Sequence, residues 1–303
     1  MTGTIHGILV GYDGSPSSEQ ALLWAAREAR WRGTIVTVCH AWTTGYLPGP
    51  PGDDGASERA QRAGERSLNQ GLRFARNVMG PGGTQPLLAA GPAARLLCEH
   101  SADADMVVVG ARGRGGLPGM LLGSVGQQVC AHARGRVVAV RGHWHPAAEY
   151  VPGPVVAGAD GSAAANAAIA FAAEEAMLRT VPLQIVCALT DAPGSLGGAG
   201  RMQEAVDHDI AYLEKQHPEL TILRQVTFSQ PRTALLDAGA EAQLIVVGNR
   251  GRGGISGMML GSVAQAIIHH APCPAGVVHP AISAIRGAAA TAARPGGPPR
   301  RCR

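Results

Sequence analysis

The sequence predicts an α/β fold built twice, each copy a five-stranded parallel sheet of order 3-2-1-4-5 with helices on both faces. Three observations predict it. Short, mostly apolar runs (Ile8–Val10, Ile35–Ala41, Met106–Val109, Val137–Val140) alternate with stretches of helical periodicity, the pattern of parallel strands covered on both sides. The pattern then restarts, because Val155-Val-Ala-Gly158-Ala-Asp160-Gly161-Ser162 echoes Val10-Gly11-Tyr12-Asp13-Gly14-Ser15. Finally, one glycine-rich stretch occurs twice. Gly110, Ala111, Arg112, Gly113, Arg114, Gly115 and Gly116 lead to Gly123, Ser124 and Val125. Gly248, Asn249, Arg250, Gly251, Arg252, Gly253 and Gly254 lead to Gly261, Ser262 and Val263. Both copies keep the spacing Gly-x-x-Gly, nine residues, Gly-Ser.

Taken in order, Ile8–Val10 is a short strand ending in a turn at Gly14. Ser15 is a natural N-cap and Pro16 fits the first helical position. Ala21, Leu22, Ala25, Ala26 and Ala29 share one face of the helix that follows, and Gly33 stops it. A second strand covers Ile35 to Ala41. Thr43 to Gly55, rich in Gly, Pro and Asp, reads as a long loop. Ser57 opens a helix with Leu68, Leu72, Ala75 and Met79 on one side. A strand at Pro86–Ala90, a helix from Pro92 to about Ala102, the strand Met106–Val109, the glycine loop, a helix over Ser124–Ala133 and the strand Val137–Val140 complete the first copy.

The expected boundaries are a first domain over 1–142, a linker over 143–153, a second domain over 154–281 and a low-complexity tail over 282–303. Asp13 and Asp160 lie 147 residues apart, whereas Gly110 and Gly248 lie 138 apart, so the second copy is nine residues shorter. The loop after its second strand is the expected place for the deletion.

Composition narrows the function classes. A chain of 303 residues with 46% hydrophobic and 16% charged residues has material for a large core. Its formal charge of +4 is mild and scattered, which gives no footprint for nucleic acid. The six cysteines form no Cys-x-x-Cys pair and no zinc spacing, and most sit in apolar runs as small buried hydrophobes. No apolar run approaches the ~20 residues of a membrane span. The expected compartment is the reducing cytoplasm.

The candidate chemistry lies in the glycine loops. A loop between a strand's carboxyl end and a helix amino end offers bare N–H groups and the positive end of a helix dipole, which suit phosphate. In an open parallel sheet, ligands sit beyond the carboxyl ends of the strands where the winding reverses. Right-handed crossovers put strands one and four side by side there. Gly11, Asp13 and Ala41 should therefore meet the loop Gly110–Val125. Gly158, Asp160 and Ala188 should meet Gly248–Val263. Gly110 and Gly248 are expected to allow close ligand approach, and Gly113 and Gly251 to supply a positive φ. Arg112, Arg114, Arg250 and Arg252 could add charge-assisted contacts. Asp13 and Asp160 would accept from a ribose hydroxyl or hold a metal's waters, and the small Ala41 and Ala188 leave room for a flat base. His40 reads as a hydrogen-bonded core residue, and His269-His270 as partners of a helix dipole.

On these residues the chain resembles the tandem universal stress proteins of actinobacterial, mycobacterial type over about residues 5 to 280. The family's ATP-binding pattern, Gly-x-x-Gly-nine-Gly-Ser/Thr, stands complete at Gly110/Gly113/Gly123-Ser124 and at Gly248/Gly251/Gly261-Ser262. Its aspartate after strand one falls on Asp13 and Asp160, and its adenine-contacting position on Ala41 and Ala188. The resemblance implies two Rossmann-like domains of the adenine nucleotide alpha hydrolase-like kind. It also implies ATP bound with Mg2+ through the phosphates, a homodimer, and a role in stress adaptation or growth arrest. The chain departs from the family pattern at Ala133-Arg-Gly-Arg136 and at Ser229-Gln-Pro231.

The expected function is a non-catalytic or very slowly hydrolysing ATP-dependent regulator. The Walker pattern is absent, Lys215 is the only lysine and lies away from both loops, and no base is tied to either loop by sequence. The alternatives are a cyclic AMP binder, a flavin binder or a nucleotide-adenylating enzyme. Gly11-Tyr-Asp-Gly-Ser15 is neither the Ser-Gly-Gly-x-Asp-Ser nor the His-x-Gly-His of that last class.

Overall fold

A computed structural model of the chain describes residues 7–44, 55–113, 122–141, 153–189, 199–253 and 259–280. The expected linker, apart from Gly153, and the expected tail lie outside them, as do Arg114, Gly115, Gly116 and Gly254. The first half runs β1 (Ile8–Gly11), α1 (Pro16–Arg32), β2 (Val36–Trp42), α2 (Ala56–Met79), β3 (Thr84–Ala90), α3 (Ala93–His100), β4 (Met106–Gly110), α4 (Ser124–His132) and β5 (Arg136–Val140). The second repeats it as β6 (Val155–Ala159), α5 (Ala163–Arg179), β7 (Leu183–Ala188), α6 (Ala199–Gln216), β8 (Ile222–Thr227), α7 (Pro231–Gly239), β9 (Leu244–Gly248), α8 (Ser262–His270) and β10 (Ala275–Val278).

Local chemistry places the element ends. Ser15 accepts from the Ser18 N–H, and Gly33 takes the left-handed conformation that ends α1 with φ 63°. In α5 the equivalent cap serine is Ser162, but the left-handed C-cap is Thr180 at φ 56°. A β-branched residue there is strained, since its Cβ crowds the backbone. β3 begins two residues before the expected start and carries Pro86 inside it, which is tolerated because β3 is an edge strand. α2 has 24 residues and α6 is described over Ala199–Gln216; the stretch after β7 where the deletion is expected, residues 190–198, lies outside the described residues.

Each half has the expected order, β3-β2-β1-β4-β5 and β8-β7-β6-β9-β10, parallel throughout. The two sheets then fuse. β5 pairs with β10 antiparallel, Val138 facing Gly276 at the centre, to make one ten-stranded sheet. The edge strands β5 and β10 cover each other, which removes two exposed ladders of unpaired groups. One apolar layer joins α1, α2, α5 and α6 across this seam, and a second lies under α3, α4, α7 and α8.

Charge also crosses the seam. Glu28 of α1 and Glu175 of α5 are fully buried. Arg32 binds Glu28 at 2.7 Å, Arg179 binds Glu28 at 2.7 Å, and both arginines also pair with Glu175. Arg136 of β5 adds a two-point contact to Glu174 at 2.7 Å and stacks on Phe171. Buried carboxylates survive only when paired in this way.

Candidate functional site

The site of the first half is built at the carboxyl ends of β1, β2 and β4. β1 lies between β2 and β4, so this is the point where the winding reverses. Tyr12, just past β1, donates its N–H to the Cys39 carbonyl at 2.9 Å, which sets Asp13 beside Ala41 on β2. Asp13 Oδ1 accepts the Ser15 N–H at 3.0 Å. Gly14 makes the turn with φ +79°. Ser15 does more than cap: its hydroxyl donates to the Arg112 carbonyl at 3.2 Å and accepts the Ser18 N–H at 3.2 Å. The Asp13 N–H donates to Ser18 Oγ at 3.3 Å. The turn after β1 is thus tied to the glycine loop after β4.

The second half repeats the plan. Asp160 Oδ1 accepts the Ser162 N–H at 2.9 Å, and Oδ2 accepts the Arg252 N–H at 2.9 Å. Gly161 makes the turn at φ +71°. Asp13 Oδ2 lies against Gly113 as Asp160 Oδ2 lies against Gly251, and Ser15 adds its own bond to the loop of the first half.

The glycine loops close on themselves in the same way. Gly123 donates to the Ala111 carbonyl at 2.7 Å, and Gly261 to the Asn249 carbonyl at 2.8 Å. The N–H groups of Ala111 and Asn249 go to Val140 and Val278, at 3.1 and 2.9 Å. Gly123 and Gly261 are extended N-caps without a side-chain bond, so the cap residues themselves give the first N–H groups of α4 and α8 no side-chain acceptor. Ser124, Val125 and Ser262 are exposed there, with Val263 half-buried.

Two of the expected glycine roles are corrected. Gly113 and Gly251 have no positive φ. A Cβ on either would come within 2.7 or 2.5 Å of Asp13 Oδ2 or Asp160 Oδ2, so glycine is required by the aspartate that presses on its Cα. Gly110 and Gly248 do not open space for a ligand either. A Cβ there would lie 2.5 Å from the Ser17 carbonyl oxygen or 2.6 Å from the Ala164 carbonyl carbon, so these glycines let α1 and α5 seat against β4 and β9. Gly11 and Gly158 have Leu97 and Leu235 as the nearest obstacles, at 2.9 and 3.1 Å.

The structure therefore brings together Gly11, Asp13, Ala41, Gly110–Gly113 and Gly123–Val125, and equally Gly158, Asp160, Ala188, Gly248–Gly253 and Gly261–Val263. His40 is half-buried next to Ala41, its ring held with Nδ1 2.8 Å from the Tyr12 carbonyl oxygen. Sequence reasoning assigned Ser15 only to the helix cap and passed over Ser18, Arg141 and His279. The signal for the last two is position: each directly follows the final strand of its half.

With this geometry in hand, the family model for "Universal stress protein family" matches residues 4–141 and again 153–279. The chain belongs to the universal stress protein family. It is 35% identical over 293 residues to a universal stress protein of Mycolicibacterium smegmatis, covering 92% of this chain and 99% of that one. A universal stress protein of Mycobacterium tuberculosis is 33% identical, covering 88% and 94%. Among solved structures, a universal stress protein from Archaeoglobus fulgidus superposes with a TM-score of 0.70 at 19% identity, over 91% of this chain and 98% of that one. That last likeness is one of fold. The chain thus holds two universal stress protein repeats in one sheet, and no helix among the described residues is long and apolar enough to cross a membrane.

Proposed function

We propose that each repeat binds one adenine nucleotide, ATP with Mg2+, and that the protein acts as a nucleotide-dependent regulator of stress adaptation in the cytoplasm, with hydrolysis absent or very slow. The observation that carries this reading is the duplicated glycine loop at the winding reversal, each leading into a helix whose N-cap is a glycine with no side chain to bond. A polyphosphate fits such an end because it supplies the missing acceptors and the charge the dipole favours. Arg112 and Arg250 stand in the loops to add charge-assisted contacts. The base would lie toward Ala41 and Ala188.

Mg2+ fits as a metal held mainly through phosphate oxygens, where it would neutralise part of the nucleotide's charge. Asp13 and Asp160 each give one oxygen to the turn, and the other oxygen of each lies against its glycine loop. Their first task is to hold the loops, and any contact with the metal's waters or a ribose hydroxyl uses their remaining lone pairs. A homodimer, if formed, uses a surface other than β5 and β10, which are already paired within the chain.

The test is mass spectrometry of small molecules released from freshly purified protein, followed by calorimetric titration with MgATP. The expected result is ATP at up to two per chain, with turnover far below that of a dedicated hydrolase. Release of cyclic AMP alone, a flavin, or pyrophosphate-forming turnover would replace this reading with the corresponding alternative.

A further inference from the structure

Arg141 and His279 hold the same place in the two repeats, each directly after the last strand. Each reaches across the seam. Arg141 Nη1 donates to the Ile268 carbonyl at 2.6 Å, and His279 Nε2 lies 2.9 Å from the Cys130 carbonyl oxygen. Ile268 and Cys130 are both the seventh residue of their nine-residue helices, α8 and α4. Each of the two residues also directly follows a backbone carbonyl that is bonded to its own glycine loop. The carbonyl just before Arg141 accepts the Ala111 N–H, and the one just before His279 accepts the Asn249 N–H. Arg112 acts electrostatically on Arg141, and Arg250 on His279. Thus α4 begins at one crevice and has its last carbonyls held from the other, and α8 does the reverse.

The chemistry at this shared position differs. The Arg141 guanidinium is a permanent cation whose Nε is buried with no partner among the described residues, so it has donors left over. A neutral imidazole that donates through Nε2 presents only a lone pair at Nδ1, and it becomes a second donor only when protonated. We infer that this difference makes the two crevices unequal anion sites: Arg141 gives the first a fixed cation, whereas His279 gives the second a cation only when it takes up a proton. This inference deepens the nucleotide reading and rests on it.

Among the described residues, the charged and titratable groups that face His279 are Arg250 from the loop after β9 and His132 at the end of α4. Its own N–H is held by the Gly135 carbonyl at 2.8 Å. Burial, together with Arg250 and His132, pulls the imidazole below its usual range against the Cys130 carbonyl, which favours the proton. An arriving polyphosphate reverses the sign of that field, so binding at the second crevice is coupled to proton uptake.

The test is calorimetric titration of the full chain with ATP in excess Mg2+, at about pH 8 and about pH 6, in buffers of different ionisation heat so that proton uptake is read directly. The expected result for the unaltered protein is two classes of site at the higher pH. The weaker class should tighten roughly tenfold at the lower pH with uptake of a proton, the scale of one charge-assisted bond. His279→Arg should strengthen that class at the higher pH and abolish its pH dependence. His279→Gln, which keeps a donor for the Cys130 carbonyl, should leave it weak at both. Two equal sites, or a weaker class that still tightens with acid in His279→Gln, overturns the inference while leaving the nucleotide reading standing. A folded protein that takes up no adenine nucleotide at either pH overturns both.

Discussion

Replacing Gly113 or Gly251 by alanine would place a Cβ within 2.7 or 2.5 Å of an aspartate oxygen and force the loop off its anchor. Gly113→Ala should therefore halve the number of nucleotides bound by calorimetry, with a fall in Tm of only a few degrees. Gly110→Ala should behave differently. Its Cβ would meet backbone of α1, so the expected loss is stability, about 1–3 kcal/mol by denaturant unfolding, before any loss of binding. The positions of all four glycines were legible in the sequence because spacing survives in one dimension. Their reasons were not, because the neighbours that exclude a side chain come from Asp13, Asp160, Ser17 and Ala164, distant in sequence. The cysteines show the opposite case. Apolar context alone marked them as buried, and burial pushes the Cys39, Cys130 and Cys273 thiols up to about 12. Folded protein at about pH 8 should leave these three unlabelled by a thiol reagent, since the reactive thiolate does not form, and denaturant should expose them.

Helix ends carry the next set of differences. α1 stops on Gly33 and α5 on Thr180, both left-handed. Thr180→Gly should raise stability by about 1 kcal/mol, and Gly33→Thr should lower it by a similar amount, both read from thermal unfolding. Serine caps open α1 and α5, but among the described residues only Ser15 also bonds the glycine loop. Ser15→Ala should cost about 1 kcal/mol as a lost cap and also weaken nucleotide binding in the first repeat, whereas Ser162→Ala should cost stability mainly. At this scale the sequence was most readable: Ser15-Pro16 and Gly33 mark α1 by known preferences.

The seam decides how the whole molecule behaves. Glu28 and Glu175 are fully buried, and Arg32 and Arg179 contact both. Removing one carboxylate leaves two largely buried guanidiniums sharing the other, an uncompensated charge, so Glu175→Ala should cost about 3–5 kcal/mol. With two apolar layers running across both repeats, the expected calorimetric trace is a single transition whose midpoint falls in the mutant without splitting. Alternation of strand and helix announced each five-stranded sheet. Their union did not show, since β5 and β10 read as ordinary buried strands and nothing in a linear pattern names an antiparallel partner 138 residues away. That union frees the two copies from one another genetically. In an assembly of identical chains every replacement lands twice across the axis, so a change useful on one side must be endured on the other. Tied into one polypeptide, Gly33 and Thr180, or Arg141 and His279, could drift apart one at a time, and a duplicated ancestor could acquire a left and a right.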